Sequence, residues 1–286
     1  MQQRRLGSRT VSVIGLGGMP MSIEGRPDEA RSVATIHAAL DAGVTLIDTA
    51  DAYHQFADEV GHNEALIAKA LSTYGGSTAE VLVATKGGHL RPGDGSWTVD
   101  GTPAHLKAAA KASAHRLGVE AIGLYQFHRP DPRVPYTESV GAIGELLDEG
   151  VIQLAGISNA TTTQIDQAQR VLGGRLASVQ NQFSPAFRTS LVELTHCAAL
   201  GIAFLPWSPL GGISNAAELA ARHHPFQQVA AAHGVSVYQV TLAWELALAP
   251  VVIPIPGASR PTSIQDSAAA ADLVLTPDEL TTLGVA

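Results

Sequence analysis

The stretch IGLYQFHRPDPRVPYTESVGAIGELLDEGVIQLAGIS, residues 122–158, contains the unit that decides the fold. It begins with IGLYQFH (122–128), a short apolar run, and ends with a second such run, IQLAGIS (152–158). Between them, YTESVGAIGELLDEG (136–150) carries apolar residues at helical spacing. A strand, a helix and a second strand in this order form the repeating unit of a parallel sheet.

The same unit recurs along the whole chain of 286 residues. Eight strand-like runs each precede a helical pattern: VSVIGLG (11–17), TLIDT (45–49), VLVATK (81–86), IGLYQFH (122–128), IQLAGIS (152–158), LASVQNQ (176–182), IAFLPW (202–207) and VVIPIP (251–256). They are rich in Val, Ile and Leu, as parallel strands covered on both faces should be. Eight such units predict an α/β fold, a (β/α)8 TIM barrel, with residues 1–286 as a single domain. A doubly wound open sheet is the alternative, but it normally has fewer strands and a phosphate-binding glycine fingerprint.

Several predicted helices carry signals at their ends. Gly43 suits the position just after the helix that begins near Glu29. At helix starts, a threonine cap precedes a proline or stands three residues before Glu or Gln. These caps are Thr102 with Pro103, Thr161 with Gln164, and Thr276 with Pro277 and Glu279.

Composition limits the partners and the location of the protein. The formal net charge is −8 and no Lys/Arg-rich run occurs, which argues against nucleic acid or an anionic membrane surface as a partner. No signal-peptide pattern is present, and no apolar run reaches the roughly 18 residues that a membrane span needs. Cys197 is the single cysteine, so no disulfide can form within the chain and a reducing compartment fits. We therefore expect a cytoplasmic protein, whose oligomeric state is not readable from its sequence.

Polar side chains occur where the predicted strands end. Because the carboxyl ends of all barrel strands meet at one rim, residues at these positions form the active site of such barrels. Six successive strand ends, the second to the seventh, carry such groups: Asp48 and Tyr53, Lys86, His128, Ser158 and Asn159, Gln180, and Trp207 with Ser208. Each alone has a plainer interpretation, such as a turn cap or a solvated lysine. Together on one rim, they predict a functional site.

Four of these side chains suit proton transfer to a carbonyl oxygen. A free tyrosine has a pKa of about 10, and a nearby ammonium lowers it by favouring the phenolate. Lys86 is the candidate cation, and Asp48 would keep it charged and oriented. Tyr53 could then donate a proton to an oxygen that gains negative charge, while His128 hydrogen-bonds the same oxygen. The hydride must come from a cofactor, because side chains cannot supply one.

The other strand ends suit such a cofactor. Ser158, Asn159 and Gln180 match the donors and acceptors of a primary carboxamide, and Trp207 offers a flat face for stacking. SPLGG (208–212) can offer backbone N–H groups to phosphates, and PGASR (256–260) ends a strand and opens a helix, a known type of anion site.

Three further patterns receive narrower interpretations. IGLGGMP (14–20) lacks the third glycine of a dinucleotide fingerprint, so we interpret it as a tight strand exit near the site. The glycine-rich segments 87–101 and 211–225 are predicted to be functional loops. No metal site is predicted, because the histidines lack partner ligands at suitable spacing: His54, His62, His223 and His224.

These motifs together resemble the aldo-keto reductase superfamily. The resemblance runs from about Arg4 to Ala271 and is carried by DAGVTLIDTADAY, VLVATKGG, YQFHRPD, GISN, VQNQFSP, PWSPLGG and IPIPGAS. It implies a catalytic tetrad of Asp48, Tyr53, Lys86 and His128, with Tyr53 as the general acid. It also implies a cofactor site: Ser158, Asn159 and Gln180 at the nicotinamide carboxamide, Trp207 on its ring, and Ser208, Leu210 and Gly212 at the pyrophosphate.

The adenosine end departs from the family pattern. Many members carry a lysine–serine pair after the eighth-strand proline, and then an arginine and an asparagine in the next helix. Those positions here are Gly257, Ala258, Ser263 and Ser267. Arg260 is the remaining cation, close to Gly257 and Ser259, and a guanidinium suits a 2′-phosphate. We therefore expect NADP(H).

The expected function is NADPH-dependent reduction of an aldehyde or ketone to an alcohol, with a small carbonyl compound as the partner. Pyridoxal, sugars, small aldehydes and keto steroids are all candidate substrates. Loops near Met19–Met21, Phe56 and Trp97 and after Pro130 would set the choice. Two alternatives stay open: an NADP(H)-binding regulatory or redox-sensing subunit with little turnover, and a phosphate-binding barrel lyase or isomerase, which would leave Trp207 unexplained.

Overall fold

The structure is a computed structural model that describes residues 1–212 and 223–284. In chain order its strands are β1 (Gln3–Leu6), β2 (Arg9–Ser12), β3 (Leu16–Gly17), β4 (Leu46–Asp48), β5 (Leu82–Gly87), β6 (His89–Leu90), β7 (Thr98–Val99), β8 (Ile122–Phe127), β9 (Ile152–Ser158), β10 (Leu176–Gln180) and β11 (Ala203–Phe204). The strands β3, β4, β5, β8, β9, β10 and β11 form one sheet in chain order, and each pair of neighbours is parallel.

An eighth extended segment, residues 251–257, closes this sheet into a barrel. Val252 forms a parallel bridge with Phe204 of β11, and Gly257 forms one with Gly17 of β3. The two free edges of the sheet are therefore joined through this segment. The predicted (β/α)8 barrel is confirmed.

The closing seam requires a glycine at position 17. A β-carbon on Gly17 would lie 2.8 Å from the carbonyl oxygen of Ile255, which real β-carbons do not approach so closely. The backbone N–H of Gly17 donates to the carbonyl of Pro256 at 2.9 Å. The interpretation of IGLGGMP as a tight strand exit agrees with this contact.

Ten helices in the described part of the chain accompany the strands. They are α1 (Glu29–Asp41), α2 (His62–Thr73), α3 (Pro103–Leu117), α4 (Tyr136–Asp148), α5 (Thr162–Val171), α6 (Leu191–Leu200), α7 (His224–His233), α8 (Val237–Leu248), α9 (Pro261–Ala269) and α10 (Pro277–Thr282). Every predicted helix is present, and α7 is an addition that no prediction covers. Short 3-10 turns lie at Met19–Met21, Ala57–Glu59 and Ala270–Asp272.

The predicted helix ends agree with the structure. Gly43 has a φ of +83°, which a residue with a side chain rarely adopts. The hydroxyl of Thr102 accepts from the backbone N–H of His105 at 3.3 Å. Thr161 with Gln164 and Thr276 with Glu279 form reciprocal capping boxes. Each cap stabilises its helix by about 1 kcal/mol.

The prediction of a single first strand over 11–17 is wrong. Val11 belongs to β2, which pairs antiparallel with β1 in a hairpin, and the barrel strand begins only at Leu16. Leu6 and Val11 of the hairpin are fully buried in one cluster with Leu154 and other residues that fill the barrel. Because an apolar run has the same sequence pattern whether it is one strand or parts of two, this break could not be read from hydropathy.

Arg4 ties the hairpin to the far end of the chain. Its guanidinium donates to the carbonyls of Ala249 at 2.9 Å and Leu246 at 2.6 Å, and also to that of Val252. Leu246 and Ala249 lie at the C-terminal end of α8, where a cation is favoured by the helix dipole. The hairpin thus closes the amino-terminal end of the barrel, opposite the rim of the strand exits.

The core has two layers. Inside the barrel lie Leu46, Leu82, Leu124, Leu154, Leu205, Ile253 and Ile255. Between the sheet and the helices lies a larger cluster that includes Ile143, Val179 and Trp244. Burying one such Leu, Ile or Val side chain contributes roughly 1.5–3 kcal/mol, so both layers hold the rim in a fixed shape.

Two loops were predicted to be functional. Segment 87–101 folds back over the rim, with β6 and β7 paired as a short antiparallel hairpin. Segment 211–225 lies mostly outside the described residues. Within the described ranges, no helix has both the length and the apolar character needed to cross a membrane.

Candidate active site

One cavity of about 530 Å³ lies at the carboxyl ends of the barrel strands. Eleven of the predicted site residues line it: Asp48, Tyr53, His128, Ser158, Asn159, Gln180, Trp207, Ser208, Leu210, Gly212 and Gly257. Lys86 is not in the lining, since it is fully buried and bonds Asp48 and Tyr53 from inside the protein. Ser259 and Arg260 also lie outside the lining.

Lys86, on β5, is the centre of the predicted tetrad. Its ammonium donates to Asp48 Oδ1 at 2.6 Å, to the backbone carbonyl of Thr49 at 2.8 Å and to Tyr53 Oη at 3.0 Å. All three ammonium protons are therefore used. The parallel pairing of β4 with β5 brings Asp48 and Lys86 together, although they are 38 residues apart in the chain.

The phenol of Tyr53 accepts a hydrogen bond but donates none within the described residues. Its oxygen faces Lys86, and the residue lines the cavity. The O–H proton is thus left without an acceptor in the protein. This arrangement is the one that a proton donor to a bound molecule needs.

Two amide side chains hold the other oxygen of Asp48. Gln180 Nε2 donates to Asp48 Oδ2 at 2.8 Å, and Gln126 Nε2 does so at 3.3 Å. Gln180 therefore donates one amide N–H to the tetrad and also lines the cavity. Gln126, in the middle of β8, was missed in the sequence because it lies inside an apolar strand.

The electrostatics differ in one respect from the sequence expectation. Burial raises the pKa of Tyr53, and the opposing effect of Lys86 does not cancel it, so the net shift is upward rather than downward. Burial lowers the pKa of Lys86, but Asp48 and Tyr53 more than offset this and raise it. At neutral pH the site therefore contains a protonated phenol beside a protonated lysine.

His128 lies against Tyr53. The two rings meet edge to face at 5.8 Å between centroids. Burial, followed by the charge of Lys86, lowers the pKa of His128 well below its usual value, so the imidazole is neutral. Its buried Nδ1 has no hydrogen-bond partner within the ranges that the structure covers.

A second histidine forms part of the cavity wall. His89, on β6, contacts His128 edge to face at 4.9 Å and stacks on Trp97 at 4.6 Å. The guanidinium carbon of Arg91 also lies near Trp97, 4.9 Å from the centre of its ring. His89 was missed by sequence analysis, although it stands only three residues after Lys86 at a strand end.

Ser158 and Asn159 stand at the rim after β9. Ser158 Oγ donates to the carbonyl of Gln180 at 2.7 Å. Asn159 has a left-handed φ of 56°, and its amide donates to the carbonyl of His128 and to Ser158 Oγ, both at 3.0 Å. A strained asparagine at a cavity wall is held there by these bonds.

The segment from Trp207 to Gly212 forms the next part of the wall. Ser208 and Gly212 both have left-handed φ angles, of 52° and 88°. The indole nitrogen of Trp207 is buried without a partner among residues 1–212 and 223–284. Chain turns of this kind expose backbone N–H groups, as phosphates require.

The last part of the site runs out of the cavity along residues 257–260. A β-carbon on Gly257 would lie 2.8 Å from Pro20 Cγ, so only glycine fits here without displacing Pro20. Arg260 is exposed and is the N-terminal cap residue of α9. Arg31 is a second cation here, since its Nε donates to the carbonyl of Ser259 at 3.1 Å, and sequence analysis missed it.

The residues of this passage fit an elongated cofactor with a phosphate-bearing end. Trp207, whose indole nitrogen has no partner in the described residues, and Gly257 line the same cavity as Tyr53. Two exposed guanidinium groups, of Arg31 and Arg260, lie where the passage leaves the cavity. In the described ranges, no group of three or more His, Cys, Asp or Glu side chains is arranged to hold a metal ion.

Asp51 is buried beside the tetrad rather than at the surface of a turn. Its backbone N–H donates to the carbonyl of Lys86 at 3.3 Å, and its Oδ1 has no partner in the described part of the protein. Burial, followed by the charge of Glu64, raises its pKa to about 8. Glu64 is itself paired with Arg116 at 2.6 Å and accepts from Thr85.

Comparison with known proteins adds three kinds of finding. The family model described as "Aldo/keto reductase family" matches residues 13–284. An uncharacterised oxidoreductase of Schizosaccharomyces pombe is 33% identical over 278 residues, which is 96% of this chain and 86% of that protein. The 6-dehydroglucose reductase of Novosphingobium aromaticivorans is 32% identical over 93% of this chain and 89% of its own length. An aldo-keto reductase from Klebsiella pneumoniae, solved with NADPH, superposes with a TM-score of 0.80 at 27% identity, over 99% of this chain and 94% of that one.

Proposed function

This chain belongs to the aldo/keto reductase family and is therefore an NAD(P)H-dependent oxidoreductase, and on that premise we propose that it reduces an aldehyde or ketone to an alcohol with a proton from Tyr53. One observation carries the proposal. The Tyr53 phenol accepts from Lys86 but has no acceptor for its own proton within the described residues, and it lines the cavity.

In this proposal Tyr53 donates its O–H proton to the carbonyl oxygen of the substrate. The ammonium of Lys86, 3.0 Å away, stabilises the phenolate that is left. Asp48 keeps Lys86 charged, and Gln126 and Gln180 hold Asp48 in place. The raised pKa of Tyr53 keeps the proton on the phenol until the carbonyl oxygen gains negative charge.

His128 is proposed to orient the carbonyl. Because its imidazole is neutral, one ring nitrogen carries a proton that it can donate to the substrate oxygen, and the other does not. A neutral donor orients the oxygen without competing with Tyr53 for the role of acid. The two rings meet edge to face and both residues line the cavity, which supports this division of roles.

The proposed cofactor is NADP(H), which when bound supplies the hydride to the carbonyl carbon. Ser158, Asn159 and Gln180 would hold the carboxamide, Trp207 the ring, and Ser208, Leu210 and Gly212 the pyrophosphate. Gly257, Ser259 and Arg260 would hold the adenosine end, with the Arg260 guanidinium at the 2′-phosphate. The relative solved with NADPH supports this choice of cofactor.

The substrate is proposed only as a small carbonyl compound. Pyridoxal remains one candidate. A sugar-derived aldehyde is another, and the relative named for 6-dehydroglucose supports it. The redox-sensing alternative is less well supported, because a proton donor and its lysine would be unnecessary for binding a cofactor.

Replacing Tyr53 by Phe tests the proposal. We expect kcat for NADPH-dependent reduction of a preferred aldehyde to fall by about 100- to 10,000-fold, because general acid catalysis is lost. The measurement is the decrease in NADPH absorbance over an aldehyde panel that includes pyridoxal and sugar-derived aldehydes. NADPH fluorescence titration of both proteins is the control, since cofactor binding should persist. Equal activity of wild type and Tyr53→Phe would show that Tyr53 is not the acid.

A further inference from the structure

Arg129 is a charge on the cavity wall to which the proposed reaction assigns no role. It directly follows His128 at the end of β8 and lines the same cavity. His128 is buried, whereas Arg129 is exposed. Its guanidinium therefore stands at the mouth of the cavity, beside the proposed position of the carbonyl.

Lys86 and Arg91, the cations near Tyr53 and His54, already have partners, whereas Arg31 and Arg260 lie beside residues 257–260. Lys86 is paired with Asp48, and Arg91 is paired with Glu24 and bonds the carbonyl of His54. Arg129 has neither an ion pair nor a hydrogen bond within residues 1–212 and 223–284. Its guanidinium is thus available to a ligand.

The nearby acidic group does not compensate Arg129. Asp131 is paired with Arg133 at 2.9 Å and also accepts from the backbone N–H of Gly101. The two histidines of the wall are neutral, since burial, followed by the charge of Arg129, lowers the pKa of His89 to about 4, and burial lowers that of His128. Within the described residues, Arg129 is thus an unpaired positive charge at the cavity mouth, on a chain whose net charge is −8.

We propose that Arg129 binds an oxyanion of the substrate, so that the preferred substrates are aldehydes or ketones that also carry a carboxylate or a related acidic group. This inference rests on the proposed function and names its substrate class. A guanidinium matches the geometry of a carboxylate through two parallel hydrogen bonds. The carbonyl would lie at Tyr53 and His128, the anion at Arg129, and the connecting atoms against the stacked rings of His89 and Trp97.

A matched pair of aldehydes tests the role of Arg129 by turnover. The pair is 4-formylbenzoate and its neutral methyl ester, and the quantity is the ratio of their kcat/KM values. In Arg129→Met we expect this ratio to fall at least about 10-fold relative to wild type, because a charge-assisted bond is lost. Comparing ratios between proteins cancels the intrinsic reactivity of the two aldehydes. Arg170→Met is the control, since Arg170 is an exposed arginine at the end of α5, so the net charge changes equally and the ratio should not.

A second measurement follows ligand binding and needs no turnover. The alcohol 4-(hydroxymethyl)benzoate is titrated into the NADP⁺-loaded protein, and quenching of tryptophan fluorescence is followed, since Trp97 and Trp207 line the cavity. We expect the Kd to weaken at least about 10-fold in Arg129→Met and to be unchanged in Arg170→Met. The Kd of Arg129→Lys should lie between those of wild type and Arg129→Met, because the positive charge remains but the paired N–H donors of the guanidinium are lost.

The outcomes separate the two proposals. Unchanged ratios and unchanged Kd values in Arg129→Met would overturn the role of Arg129, whatever the activity. If wild type reduces neither of these aldehydes nor any member of the wider aldehyde panel, the proposed reaction fails, while the binding measurement still decides the role of Arg129. Adding 4-formylbenzenesulfonate identifies the anion: dependence on Arg129 for both acids indicates oxyanions in general, and dependence for the carboxylate alone indicates planar carboxylate pairing.

Discussion

At the scale of single residues, the site depends on Lys86, whose three protons all have acceptors. A fully bonded lysine has one orientation, and so it fixes the distance to the Tyr53 oxygen. The sequence predicted the partners of this lysine but not the direction of the tyrosine pKa. Coulombic attraction could be anticipated from residue types, whereas the larger effect of burial depends on packing from many parts of the chain.

Asp51 leads to a prediction about pH and stability. Its pKa is about 8 in the folded protein, against an ordinary value of 3.8, so the folded state favours the protonated form. Below pH 4 the carboxyl is protonated in both states and carries no penalty. As the pH rises from 4 to 8, the unfolded state alone ionises, and the free energy of unfolding falls by up to about 1.4 kcal/mol per pH unit.

Asp51→Asn should remove this pH-dependent loss. We expect the stability of the variant minus that of wild type to rise between pH 4.5 and pH 7.5, as measured by urea unfolding at several pH values. Asp272→Asn is the control, because Asp272 is exposed and the charge change is the same. A difference that stays constant over this range would mean that folded Asp51 is ionised throughout.

At the scale of elements, the helix ends were predicted well and the strand pairing less well. Caps such as Thr161 with Gln164 could be predicted because their partners lie within one turn. The N-terminal hairpin could not, because its burial depends on Leu154 and other residues far along the chain. Gln126 was missed because it lies inside an apolar strand and because its bond to Asp48 joins residues 78 apart.

The closing seam leads to a prediction about Gly17. A methyl group there would meet the Ile255 carbonyl at 2.8 Å, so we expect Gly17→Ala to lower the free energy of unfolding by about 1–3 kcal/mol. The same change at Gly141, inside α4, meets no atom within 4 Å and should stabilise by about 0.5–1 kcal/mol. Thermal or urea midpoints of both variants provide the comparison. If Gly17→Ala is no less stable than wild type, the seam is not as tight as the contact implies.

At the scale of the whole molecule, both ends of the chain complete one barrel. The family match over residues 13–284 spans the same range that the barrel strands and outer helices occupy. The rim predicted from strand ends forms one cavity in the structure, except for Ser259 and Arg260 beyond it and Lys86 behind it. That residues 1–286 form a single domain stays a prediction.

A single domain should unfold in one step. Trp244 lies in the outer core, whereas Trp97 and Trp207 line the cavity, so tryptophan fluorescence reports on both regions. We expect fluorescence and far-ultraviolet circular dichroism to give one coincident urea midpoint, and saturating NADPH to raise that midpoint by linkage. Two separated transitions would indicate that the barrel has independently folding parts.

The anchoring of Arg4 has a consequence for how the protein is made. The ribosome releases the hairpin before the carbonyls that Arg4 binds, at Leu246, Ala249 and Val252, are synthesised, because they lie at least 242 residues further along the chain. Translation takes seconds per hundred residues, and during that time the apolar side chains of Leu6 and Val11 lack their final partners. The nascent chain thus carries a hairpin with unburied Leu6 and Val11 side chains until that later segment emerges, which makes the hairpin a natural point of contact for chaperones.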